Sequence, residues 1–158
     1  MAKFQFNVTL NQLAEYATAR LGDGASGVNL LTDADVGKFV KLTADSQYGL
    51  ASVGNEIEGI MSSGPEGATS DGFAVGTVRK SGRALVTLDG LQATPGTGVI
   101  AVGDFVVAGT VTARGTALPG NPKVCKATAA ATGIVHKWRV VALYGTTAVG
   151  QIALIEKV

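Results

Sequence analysis

The sequence predicts an all-β protein: a single β-sandwich or β-barrel domain, with an N-terminal arm that carries one candidate short helix. Three observations lead there. Short segments that alternate apolar and polar residues recur from about residue 35 to the C-terminus. Most are closed by glycine-bearing turns, and the chain holds 22 glycines. No long segment of helical period alternates with them, which argues against a doubly wound α/β fold and for a sandwich or barrel.

Phe4, Phe6, Val8 and Leu10 alternate with polar residues and predict an extended arm. Leu10, Leu13, Ala14, Ala17 and Leu21 then share one helical face. Thr9 and Gln12 have capping-box spacing, and Gly22 can close a helix. The segment 10–21 therefore reads as a short helix, with a continued extended arm as the alternative. Strands are expected at 38–43, at 56–61 before Ser62-Ser63-Gly64-Pro65, and on both sides of Gly109 at 105–107 and 110–112. The stretches 137–144 and 151–158 are the strongest strand candidates. Residues 73–78 and 84–88, joined through Lys80-Ser81-Gly82-Arg83, form the best hairpin signal. Residues 115–122 are a Gly, Pro and Asn loop. The expected organisation is an arm with a Gly-rich linker over 1–30 and a β-domain over 31–158.

Composition narrows the function. Charged residues make up 16% of the chain and hydrophobic residues 46%, against roughly 25% charged in ordinary globular proteins. A surface short of ions can meet other protein without desolvating them, so a multimer or larger assembly is expected over a monomer with an uncharged coat. The formal net charge of +1 offers no long-range attraction to nucleic acid. One cysteine excludes an internal disulfide. No apolar run is long enough for a membrane helix, and the N-terminus lacks the apolar stretch of a signal peptide, so synthesis in a cytoplasm is expected.

Candidate chemistry is sparse. His136 is the one histidine, and no Gly-x-Ser-x-Gly elbow exists to pair with it. Cys125 sits in strand-like sequence and reads as a buried, inert thiol. Asp33 and Asp35 suit turn and capping roles better than a calcium site. Glu56 and Glu58 alternate on an expected strand and read as a solvated face rather than a glycosidase pair. Gly22-Asp23-Gly24-Ala25-Ser26-Gly27 fits a dinucleotide fingerprint in spacing, but lacks the strand before it and the helix after it. Trp138 reads as core. Arg79, Lys80 and Arg83 cluster at the expected hairpin tip, where they are either solvated or docked on an acidic protein patch. No catalytic residue, cofactor or metal site is expected, and the chain is read as a non-enzyme.

Val36-Gly37-Lys38-Phe39-Val40 echoes Val102-Gly103-Asp104-Phe105-Val106. A duplicated strand-pair unit and a chance match of common β residues both account for it.

The stretch Val36–Thr43 with its Asp-containing turn, Ile57-Glu58-Gly59-Ile60, Val102–Val106, the Gly-rich loop, Lys137-Trp138-Arg139-Val140-Val141 and the terminal Ile155-Glu156-Lys157-Val158 resemble the small capsid cement (head decoration) proteins of tailed bacteriophages. The resemblance covers about half the chain, residues 36–61 and 102–158. It implies a virion protein on the exterior of an expanded phage head, often trimeric, that bridges subunits of the major capsid protein. Phe4 and Phe6 on the arm, with Arg79, Lys80 and Arg83, are then the capsid-contact candidates. Rival readings are a carbohydrate-binding β-module, which the 6% aromatic content disfavours, an enzyme with an unrecognised site that uses His136, and a structural protein of the tail or baseplate.

Overall fold

The computed structural model describes residues 15–22, 30–44, 47–68, 72, 74–128 and 136–158. Among them it is all-β, with one short 3-10 turn, Asp33–Asp35, and no α-helix. The strands are β1 Tyr16–Leu21, β2 Phe39–Ala44, β3 Gln47–Leu50, β4 Gly59–Met61, β5 Gly67–Ala68, β6 Ala74–Arg79, β7 Arg83–Leu91, β8 Thr94–Pro95, β9 Phe105–Ala108, β10 Lys123–Lys126, β11 Trp138–Leu143 and β12 Ile152–Lys157.

They form two closed, barrel-like sheets. The first ring runs β1-β3-β2-β4-β6 and back to β1, with β5 added to β6. The second runs β7-β10-β9-β11-β12 and back to β7, with β8 added to β7. Closure pairs most of the strand edges that would otherwise be open to other chains. Alternation fills each ring. Ala84, Val86 and Leu88 of β7 point inward while Arg83 and Leu85 point out. Leu21, Val40, Tyr48, Met61, Ala74 and Val78 fill the first barrel. Val86, Leu88, Val106, Val124, Trp138, Val140, Ala153 and Ile155 fill the second.

The two barrels are the same object built twice. Each has one parallel pair, β1 with β3 and β7 with β10, and four antiparallel ones. Registers match as well. Leu21 faces Tyr48 as Leu88 faces Val124; Val40 faces Leu50 as Val106 faces Lys126; Phe39 faces Ile60 as Phe105 faces Arg139. The echoed pentapeptides occupy equivalent places at the entries to β2 and β9. Gly37 (φ 86°) and Gly103 (φ 91°) both adopt the left-handed conformation that favours glycine. Their amides donate to Met61 O (2.7 Å) and Val140 O (2.8 Å), and the amides of Ala51 and Ala127 donate to Phe39 O and Phe105 O.

Several expectations are corrected. The helix over 10–21 is a strand from Tyr16 onward, while residues 10–14 lie outside the described residues. Ala17 and Leu21 are four apart, which suits one helical face and equally one strand face. Six backbone partners on β6 decide for the strand. This strand also brings the barrel's start into the expected 1–30 arm. The hairpin through residues 80–83 is not a hairpin. β6 and β7 belong to different sheets, and the turn links the barrels. β6 is already paired to β1 and to β4 and β5, so β7 finds no free edge there. Finally, Thr110–Thr112 is loop, and strand 56–61 shortens to Gly59–Met61.

Candidate protein-docking face and inter-barrel clasp

The loop between β3 and β4 straps the first barrel to the second. The Gly54 amide donates to Ala108 O (2.8 Å) and the Ala108 amide to Asn55 O (3.0 Å). Glu56 pairs with His136 Nδ1, while His136 Nε2 lies 3.1 Å from Thr128 O. Trp138 Nε1 donates to Ile57 O (2.9 Å), and Lys137 Nζ meets Glu58 at 2.6 Å. Phe39, Ala51, Ile57 and Ile60 of the first barrel complete the hydrophobic cluster of the second. Glu56 and Glu58 are therefore half-buried seam residues and not a solvated strand face. No local signal marks their partners, which lie about 80 residues away.

A second contact runs the other way. The long β9–β10 loop returns to the 3-10 turn, where Asp35 and Lys38 form a fully buried ion pair at 2.7 Å. Asp35 also accepts from the Thr32 amide (2.9 Å), the Thr32 hydroxyl (3.1 Å) and the Gly115 amide (2.9 Å). Lys38 Nζ donates to Ala113 O (2.7 Å). Burial opposes ionisation of Asp35. The Lys38 ammonium and the Thr32 and Gly115 donors outweigh it, so its carboxyl titrates below the usual aspartate range. Asp35 is thus the turn and capping residue the sequence suggested, with a clasping role added.

Cys125 is buried in β10, with Sγ 3.9 Å from Asp89 O and Oδ2. Burial, reinforced by the Asp89 carboxylate, pushes its thiol up to about 11. At about pH 8 its thiolate fraction is on the order of 0.1%. The native protein should therefore label with a thiol reagent at least a hundredfold more slowly than the chain in concentrated guanidinium. Complete native labelling within minutes would contradict the buried placement.

The sequence-derived contact residues scatter. Phe4 and Phe6 lie outside the described residues. Arg79 is half-buried on β6, opposite Tyr16 and Ile60. Lys80 is held by its backbone, donating to Glu15 O and accepting from Lys157 Nζ, each at 2.7 Å. Arg83 is exposed on β7 and pairs with Glu156 at 3.2 Å.

Arg83 borders a feature that sequence reading missed. On the outside of the second barrel, exposed Leu85 lies opposite Leu154, which is covered (9% exposed), with exposed Ile152 one pleat along. The amide of exposed Tyr144 donates to Ile152 O, which places Tyr144 beside it. Arg83, Glu156 and Arg139 form a charged row along one side. The equivalent pair on the first barrel is Thr18 opposite Thr77. Equivalent outward positions thus carry threonines on one barrel and leucines on the other. Only the register equivalence makes this contrast legible.

An open cleft of about 520 Å³ lies between Leu50–Val53 and Thr110–Arg114. Among the described residues, no group of three or more His, Cys, Asp or Glu side chains could hold a metal ion. No helix of the described residues is long and apolar enough to cross a membrane. Comparison with known proteins finds no matching family model, no matching curated protein and no matching solved structure.

Proposed function

We propose that this protein is a structural, non-enzymatic component of a virion. It binds the outer surface of a phage capsid and stabilises the shell by bridging subunits of the major capsid protein. It acts as a homo-oligomer, and the family resemblance favours a trimer. One observation supports the reading most: the exposed Leu85 and Ile152, with exposed Tyr144 beside them, where the first barrel carries Thr18 and half-buried Val75. Exposed apolar area concentrated on one of two equivalent faces suits a protein partner. The arginines at its rim suit an acidic border on that partner. A molecule that binds the assembled shell and not its free subunits stabilises the shell by mass action.

The test is co-sedimentation of the purified protein with undecorated, expanded heads of the parent phage, with heat survival of the heads scored alongside. Saturable binding and hotter survival are expected. Leu85→Asp combined with Ile152→Asp should weaken binding at least tenfold, because two charges must then be desolvated in the interface. An absence of binding and of stabilisation would overturn the reading and move the search to tail assemblies and glycans.

A further inference from the structure

We propose that copies of this chain associate head to tail, repeating between molecules the seam that joins the two barrels within one. The argument starts from the equivalence of the barrels. At the internal seam the first barrel supplies a plug, in which Phe39 is 5% exposed. The second barrel supplies a socket edge, in which Ala108 is 0% exposed and holds the Gly54 and Asn55 backbone. By register, the equivalent of Phe39 is Phe105 and the equivalent of Ala108 is Leu42. Phe105 is 40% exposed and Leu42 is 53% exposed.

A twofold relation between the barrels would use both plugs and both sockets. Here one of each is covered and one of each is open, which is the pattern of a head-to-tail contact. A second copy is the occupant that carries both missing halves. Its Leu42 edge is the counterpart of the edge that already receives a plug, and its Phe105 face is the counterpart of the plug. Such a heterologous contact closes into a ring or extends as a filament, depending on the rotation per step.

The chemistry sets its strength. Where the first barrel presents Ile60 beside its plug, the second presents exposed Arg139 beside Phe105, while His136, whose ring lies 6.2 Å from that of Phe105, is already held at the internal seam by Glu56. The contact between copies is therefore more polar than the internal seam, weaker, and dependent on concentration. The proposal rests on the homo-oligomer part of the reading above and not on capsid binding.

The test is sedimentation velocity of the intact chain, without heads, from about 1 to about 200 μM, the range in which a micromolar contact titrates. A concentration-dependent shift to larger species is expected. Phe105→Asp and Leu42→Asp, each checked for a native circular dichroism spectrum, should each weaken association at least tenfold. Both side chains are exposed in the single chain, so folding should survive the changes. An equimolar mixture of the two variants should restore a two-chain species and nothing larger, because only one intact plug and one intact socket can meet. A wild-type chain that stays monomeric throughout would overturn the proposal. So would variants that assemble as wild type, or a mixture that stays monomeric. Head binding is scored separately, so failure of the capsid reading leaves this result standing.

Discussion

Replacing Trp138 with alanine is expected to destabilise the protein by about 3–5 kcal/mol, the range for removing a large aromatic from a packed core. Trp138 is fully buried and belongs to the cluster in which side chains of the first barrel enter the second. Its Nε1 donates to Ile57 O on the strap. The loss is a large share of the roughly 5–15 kcal/mol that holds an ordinary domain together. Urea denaturation followed by circular dichroism measures it, since Trp138 is the chain's one tryptophan and its fluorescence is lost with it. Trp138→Phe separates the two contributions. It keeps most of the ring volume and leaves the Ile57 carbonyl without its partner, a cost of about 1–3 kcal/mol. A cost under about 1 kcal/mol for Trp138→Ala would mean that the two barrels do not share this core.

The second large effect lies at the clasp. Lys38→Met leaves the Asp35 carboxylate buried without its ammonium and is expected to cost about 3–5 kcal/mol near neutral pH. Asp35→Leu combined with Lys38→Met removes both charges and should cost less than the single change, because nothing charged is then stranded. Thermal or urea melts of the three proteins decide this. A double variant no more stable than Lys38→Met would show that the geometry of the pair, and not the stranded charge, carries the effect.

The pH dependence has a definite sign. The folded protein holds the Asp35 carboxyl below its ordinary value, so the folded state binds that proton more weakly than the unfolded chain does. Its contribution to stability is complete above the unfolded pKa of about 3.9 and is lost as pH falls through the lower folded value. In Lys38→Met the burial term is no longer offset by the ammonium, so protonation relieves the stranded charge. The stability gap between wild type and this variant should therefore narrow as the solution is acidified.

Much of the β character was legible locally. The strands around Phe39–Thr43, Phe105–Val107, Trp138–Leu143 and Ile152–Lys157 show their alternation directly, and the loop at 115–122 shows its Gly and Pro. The buried thiol of Cys125 followed from its strand-like neighbours. The Val-Gly-x-Phe-Val echo marked equivalent entries to β2 and β9, although five residues alone did not separate duplication from coincidence. The candidate docking face was not legible. Leu85 and Ile152 look like ordinary strand apolar residues until the ring decides which side of each strand faces the core.

The sequence by itself determined most of the strand segments, the Gly- and Pro-bearing turns and the supply of one histidine and one cysteine, because period, turn chemistry and composition act over a few neighbouring residues. Tertiary structure decided the rest. It made Tyr16–Leu21 a strand, since a four-residue apolar spacing suits helix and strand alike and β6 offers backbone partners to one of them. It turned the 80–83 turn into a link between barrels, since both edges of β6 were already taken. It joined Glu56 to His136, Glu58 to Lys137 and Lys38 to Ala113, since residues 75–80 apart meet only when both rings have closed.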